Sequence, residues 1–138
     1  MKNLIAFPPN YKEILAAFPS IAGAPVIFAY GDILYNPTGA EISLDLYAHE
    51  ETHERQQKAY RGGVVQWWKE YISNPDFRLE QEVEAYRNQY KFILVDSAHQ
   101  RSRQVRKSML HKFCTDLSSA MYGKLITYEL AHKLITQI

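Results

Sequence analysis

The chain has 138 residues, 46% hydrophobic and 13% aromatic, which is enough to form one globular domain with its own core. A formal net charge of +1 favours neither a nucleic-acid nor a membrane-surface partner, and the single cysteine, Cys114, excludes an internal disulfide and a multi-cysteine zinc site. With no signal-peptide pattern and no apolar run near 18 residues, we expect a cytoplasmic protein without a membrane partner.

The N-terminal third predicts one short helix and a small β element. Asn10 and Glu13 have capping-box spacing, which predicts a helix that ends before Pro19. Two apolar runs follow, 26–30 and 33–35, separated by a Gly-Asp pair. This pattern is typical of a small hairpin or a bent edge ribbon.

The rest of the chain predicts helices, separated by Gly and Pro signals. Their expected bounds are Ser43 or Leu44 to about Tyr60, Val64 to Ile72, about Asp76 to Val95 with Pro75 at its start, about Ala98 to Ser118, and a last helix capped by Thr127 that ends near Thr136. The predicted fold class is therefore α+β, a mainly helical single domain with a small β-hairpin or edge strand.

One motif carries most of the functional information. His49, Glu50 and His53 form an H-E-x-x-H pattern inside the second predicted helix, where positions i and i+4 share a face. Both imidazoles can then bind one Zn²⁺, with Glu50 beside the water that the metal activates. Random placement would produce the pattern in roughly one such chain in a hundred. The alternative is two solvated histidines on a charged helix.

A catalytic zinc site needs a third protein ligand and an open fourth position. A carboxylate is the natural candidate because only one cysteine is present, and the segment 79–86 offers Glu80, Glu82 and Glu84. Glu82 lies on a different helix face from the other two, so only one set can point at the metal.

The motif at 49–53, followed by Glu-x-x-Ala on a second helix, resembles the gluzincin metallopeptidases. Within this family, the chain resembles compact, minimal gluzincins of the type found in phage and bacterial genomes. This resemblance covers about the middle 60 residues and implies Glu82 as the third ligand, with Ala85 three residues on. The family often has Asp after that alanine to hold a histidine ligand. This chain has Tyr86 there, which leaves Asp45 or backbone carbonyls as candidate partners of the histidines.

The resemblance also implies a mechanism and a substrate, a protein or peptide. Glu50 would be the general base, and a further donor would stabilise the oxyanion of the tetrahedral intermediate. Tyr86 is our candidate donor, and Arg87, Tyr90, His99 and His111 are also eligible. An edge strand would pair with the extended substrate, with the following candidate residues: Val26, Ile27, Phe28, Ala29 and Tyr30. The run at 33–35 is the alternative segment for this role, and the other interpretation is that these residues only cover the core.

The predicted domain spans 1–138, with a metal-site core at about 26–95 and C-terminal helices at about 98–137. One alternative function is a non-catalytic zinc-containing binding module. A weaker one is a nucleic-acid-binding protein that uses the predicted helix at about 98–118, which is rich in Lys and Arg. These charges surround that helix instead of forming a stripe on one face, which favours a solvated surface. Trp67, Trp68 and Tyr71 are expected to form a core cluster rather than a binding wall, and Cys114 is expected to pack as a small apolar residue.

Overall fold

Three short strands form one sheet in the computed structural model, which describes residues 1–95 and 102–137. Strand β2 (Phe28–Tyr30) pairs antiparallel with β3 (Ile33–Tyr35), as the two apolar runs predict. Gly31, at a φ of +62°, supplies the left-handed conformation that this tight turn requires. Strand β1 (Lys2–Leu4) pairs parallel with the other side of β3 and was not predicted. Its three residues are exposed, so it lacks the alternating pattern of a half-buried strand.

Six α-helices and two 3₁₀ turns account for most of the described chain. The helices are α1 (Tyr11–Ala17), α2 (Leu44–Ala59), α3 (Gly63–Ser73), α4 (Pro75–Val95), α5 (Arg103–Leu117) and α6 (Tyr128–Thr136), and the turns are Pro19–Ile21 and Ala120–Tyr122. The mainly helical α+β single domain is therefore confirmed. The predicted start of the fifth helix near Ala98 lies outside the described residues. Across the two described ranges, no helix is long and apolar enough to span a membrane.

The predicted helix caps differ in outcome. The Thr127 hydroxyl accepts a hydrogen bond from the backbone N–H of Leu130, as expected of an N-cap. Helix α1 begins where Asn10 predicts, but the Asn10 side chain makes no capping hydrogen bond. The capping-box prediction is therefore wrong in its contact and right in its position.

Two apolar clusters form the core. The N-terminal cluster joins α1, β2 and α3 through seven buried residues: Ile14, Phe18, Ile21, Phe28, Trp67, Trp68 and Tyr71. The C-terminal cluster joins α4, α5 and α6 through nine: Val83, Tyr86, Ile93, Leu110, Phe113, Cys114, Leu117, Ala131 and Ile135. Both the burial of Trp67, Trp68 and Tyr71 in a core cluster and the buried packing of Cys114 are thus confirmed. The same three aromatic residues also line a cavity, so the core position does not exclude a binding wall.

Helix α2 lies against α4, with α3 and β2 also in contact with it. Its buried residues are all polar: Asp45, His49, Glu50, Thr52, His53 and Gln57. Burying such groups is unfavourable unless each finds a partner. The buried side of α2 is therefore held mainly by polar contacts and not by apolar packing.

Candidate metal centre

Two helices bring three potential ligands together. His49 and His53 are one turn apart on α2, and Glu82 faces them from α4. The Nε2 atom of His49 lies 3.2 Å from Oε1 of Glu82, and the Nε2 atom of His53 lies 3.2 Å from Oε2. The ligand atoms of all three residues lie within 4.8 Å of one another, so the group can hold a metal ion.

The spacing suits a small tetrahedral cation. Ligand atoms at about 2.1 Å from zinc in a tetrahedron are about 3.4 Å apart, close to the two observed separations. Oε1 of Glu82 is also buried and makes no hydrogen bond, although it lies near His49. A buried acceptor without a donor needs an explanation, and a bound cation would supply the missing interaction.

The two competing carboxylates are not part of this group. Glu80 is exposed, and Glu84 is exposed and accepts a hydrogen bond from the Gln56 amide at 2.8 Å. The solvated-histidine alternative does not fit either, because only 3% of the His49 surface and 6% of the His53 surface are exposed.

Aromatic residues surround the three ligands. The Tyr71 hydroxyl donates a hydrogen bond to Oε2 of Glu82 at 2.6 Å. The Tyr86 ring contacts the His49 ring edge-on, and the Trp67 ring contacts that of His53. These rings fix the ligand side chains and exclude water, which strengthens electrostatic interactions within the site.

The outward nitrogen of each histidine contacts a glutamine. Nδ1 of His49 lies 3.0 Å from Oε1 of Gln89, whose Nε2 donates to Asp45 at 2.8 Å. Nδ1 of His53 lies 2.8 Å from Oε1 of Gln56. Asp45 is thus near His49 as expected, but it acts through Gln89, which sequence reasoning did not assign to this role.

The electrostatics couple Glu82 tightly to the histidines. Burial by itself would raise the pKa of Glu82, but its interactions with His53 and His49 hold that pKa well below its usual range. Burial by itself would lower the pKa of His53, but the charge of Glu82 and the hydrogen bond to it raise that pKa to about 9. The group therefore keeps Glu82 ionised, which is the form that binds a cation.

Glu50 is a second buried carboxylate at the site, and its interactions differ from those of Glu82. It is 6% exposed and makes no hydrogen bond to any residue that the structure describes. Burial raises the pKa of Glu50, and the charges of His49 and His53 partly oppose that rise. A carboxylate whose pKa is moved towards neutrality by burial is suited to accept and return a proton.

A cavity of about 60 Å³ adjoins the ligand group. Glu50 lines it together with the three ligands, and four of the predicted substrate-strand residues do so too: Val26, Ile27, Phe28 and Ala29. Tyr30 is absent from this lining and packs against the N-terminal cluster. Val26 and Ile27 precede β2, so the strand is shorter than the predicted run 26–30. The segment as a whole lies beside the metal group, where a substrate-binding strand is expected.

One backbone group of that strand is already engaged. The carbonyl of Ala29 accepts hydrogen bonds from Nε2 of Gln57 at 2.9 Å and from Nε1 of Trp68 at 3.1 Å. Gln57 also accepts from the backbone N–H of Gly31, which ties the hairpin to α2. A substrate that pairs with this strand would have to use the residues before Ala29. Substrate binding there stays a prediction.

Two tyrosines form the other side of the site. The hydroxyls of Tyr86 and Tyr122 are 2.8 Å apart, and Tyr122, but not Tyr86, is in the cavity lining. Burial, followed by the charge of Glu82, raises the pKa of both hydroxyls well above 10, so both stay protonated donors. Sequence reasoning missed Tyr122, because it lies 36 residues from Tyr86 on a turn with no motif. A catalytic role for Tyr86 stays a prediction.

Comparisons with protein-family models, with curated proteins and with solved structures find no match to this chain.

Proposed function

We propose that this protein is a zinc-dependent metallopeptidase of the minimal gluzincin type. One observation carries the proposal: Glu50 is a buried carboxylate without a hydrogen-bonding partner among the described residues, and it shares a cavity with three potential metal ligands. Burial raises the pKa of Glu50, so keeping this carboxylate ionised costs free energy. A structural zinc site has no use for it, whereas a hydrolase needs a base beside the metal.

The proposed roles follow from the position of each residue. His49, His53 and Glu82 would hold zinc, which supplies an acidified water and polarises the substrate carbonyl when it is bound. Glu50 takes the proton of the attacking water and passes it to the leaving amine. The Tyr122 hydroxyl, supported by Tyr86, donates a hydrogen bond to the oxyanion.

The substrate class is proposed from the cavity walls. Apart from the ligand group and Glu50, they are mainly apolar and aromatic, so we expect a peptide with an apolar side chain beside the scissile bond. A cavity of about 60 Å³ has room for a few water molecules but not for a peptide segment. The two 3₁₀ turns contact each other beside it and contribute Ile21, Met121 and Tyr122 to its lining. Binding would therefore separate these turns. The cytoplasmic location also stays a prediction.

The test combines metal analysis with cleavage. Protein purified without added metal or chelator is analysed for zinc, then incubated with a peptide library that is read by mass spectrometry. We expect one zinc per chain, cleavage that a chelator abolishes and zinc restores, and a Glu50→Gln variant that keeps zinc but loses at least about 10²-fold in rate. Glu54→Gln, one turn on along α2 and outside the cavity lining, is the matched control.

Each other outcome has a defined meaning. Wild-type protein that takes up no zinc at micromolar supply would reject the metal site and the enzyme together. Zinc without cleavage in wild type would favour the non-catalytic binding module. Equal cleavage by wild type and Glu50→Gln would remove Glu50 from the mechanism.

A further inference from the structure

A chain of two hydrogen bonds fixes the orientation of one amide behind His49. A carboxylate can only accept hydrogen bonds, so Gln89 must present its NH₂ group to Asp45, at 2.8 Å. The oxygen of the same amide then faces Nδ1 of His49, at 3.0 Å, and can only accept. Nδ1 must therefore carry a hydrogen. All three residues are buried, so water does not substitute for these contacts.

The hydrogen on Nδ1 of His49 determines the state of the other ring nitrogen, Nε2. A neutral imidazole has one hydrogen, so with that hydrogen on Nδ1 its lone pair is on Nε2. Nε2 of His49 is the atom that faces Glu82 in the ligand group. Asp45 thus determines, through Gln89, that the metal-facing nitrogen is the one able to bind a cation.

The second histidine has the same arrangement with different partners. Nε2 of Gln56 donates to the backbone carbonyl of Gln81 at 3.0 Å and to Oε1 of Glu84 at 2.8 Å, and both of these atoms only accept. The Gln56 oxygen therefore faces Nδ1 of His53, at 2.8 Å. Two acceptors orient this amide, and Glu84 is exposed. The loss of one acceptor should consequently matter less here than at Gln89.

We propose that Gln89 and Gln56 are positioning residues that keep a hydrogen on Nδ1 of both histidines, so that Nε2 is the nitrogen left to bind a metal, and that each amide is oriented by an acceptor behind it. As a role at the metal site, this rests on the proposed function. The carboxylate orients the amide, and the amide oxygen accepts a hydrogen bond from the imidazole. No second negative charge then lies directly beside the ring.

The first variant is Asp45→Asn, which keeps the shape of the side chain but adds a donor. The amide introduced at this position can donate to the Gln89 oxygen, so the Gln89 amide can turn over and present its NH₂ group to Nδ1 of His49. The readout is the pair of ¹⁵N chemical shifts of each imidazole in metal-free protein at a pH above 9, where His53 has lost the proton that the charge of Glu82 holds on it. We expect His49 to gain the Nε2–H tautomer, His53 to be unchanged, and zinc affinity to fall about 10- to 100-fold.

The matched control is Glu84→Gln, which makes the same chemical change in the other relay. The Gln81 carbonyl still orients Gln56, so we expect His53 to keep its tautomer and zinc affinity to change by less than about threefold. The amide introduced by Asp45→Asn can also turn and present its oxygen to Gln89, which would leave the relay unchanged. Gln89→Leu is therefore measured as well, because it removes the amide, and His49 should then show a mixture of tautomers.

Two results would overturn the proposal. The first is a folded Gln89→Leu protein in which His49 keeps the Nδ1–H tautomer alone. The second is equal tautomer changes at both histidines in Asp45→Asn, which would indicate general loosening of the site. Because the tautomers are read without metal or substrate, this test fails or succeeds independently of the zinc and cleavage experiments.

Discussion

Helix α4 separates two buried regions of opposite chemistry. One face of α4 contributes Val83 and Ile93 to the C-terminal apolar cluster, where α5 and α6 complete an ordinary core. The other face contributes Glu82 and Gln89 to a buried polar layer with α2. Apolar burial stabilises the first region directly. The second loses the hydration of several ionisable groups and recovers part of that loss through hydrogen bonds.

The difference indicates a division of labour along one helix. The C-terminal cluster stabilises the fold, and this stability allows the polar layer to keep the potential metal ligands and the proposed base in fixed positions. If this is correct, substitutions in the two regions should have separable effects on stability and on metal binding, because distant sites act additively.

The largest stability effect is expected in the apolar region. Leu117 is fully buried in the C-terminal cluster, so Leu117→Ala should lower the free energy of unfolding by about 2–5 kcal/mol. Chemical denaturation of metal-free protein measures this loss. The folded variant should still bind one zinc. Loss of zinc from folded Leu117→Ala would contradict the separation of the two regions.

The polar region should instead control the stabilisation that zinc provides. At a free zinc concentration of about 1,000 times Kd, binding adds about 4 kcal/mol to the free energy of unfolding. Thermal unfolding with and without zinc should show this gain in wild type and in Leu117→Ala, but not in Glu82→Ala.

Glu80→Ala serves as the control for that experiment, because Glu80 is an exposed carboxylate on the same helix. It should retain the full gain. A zinc gain in Glu82→Ala equal to that in wild type would show that the metal is bound elsewhere.

A third prediction separates the two tyrosines at the border between the regions. Tyr122 lines the cavity and Tyr86 belongs to the apolar cluster, although their hydroxyls are hydrogen-bonded. Tyr122→Phe should lower kcat by about 10²-fold, which is the loss typical of an oxyanion donor, with KM nearly unchanged. Tyr86→Phe should have a smaller effect, because it only releases the Tyr122 hydroxyl. The opposite order in steady-state kinetics would assign the donor role to Tyr86.

The sequence predicted the local features of this protein better than the contacts between residues that are distant along the chain. Apolar spacing and Gly or Pro signals gave the helix positions, and the spacing of His49 and His53 gave their common face, because both are local properties of the chain. The choice of Glu82 depended on a resemblance as well. Sequence reasoning did not assign four further residues to the site: Gln56, Tyr71, Gln89 and Tyr122. Each is an ordinary polar residue outside any motif, or lies far along the chain from the histidines. Their roles depend on how α2, α3, α4 and the last 3₁₀ turn pack, which no local pattern encodes.

The smallest expected effect is a proton exchange that accompanies metal binding. In metal-free protein, burial opposes protonation of His53, but the charge of Glu82 and the hydrogen bond to it raise its pKa to about 9. His53 is therefore protonated at pH 7, whereas a metal ligand must present a bare nitrogen. Zinc uptake at pH 7 should then release about one proton from His53, and zinc affinity should rise up to about tenfold per pH unit until the pH reaches about 9.

Calorimetric titration with zinc in two buffers of different protonation enthalpy measures this release. Because His53 loses its proton as the pH rises through about 9, its contribution should disappear in titrations above that pH. A Glu82→Gln protein that still binds zinc weakly should release less than wild type at pH 7, since the charge that raises the His53 pKa is gone. Equal release by both proteins would mean that Glu82 does not hold the proton on His53. The polar layer would then lack the coupling that distinguishes it from the apolar side of α4.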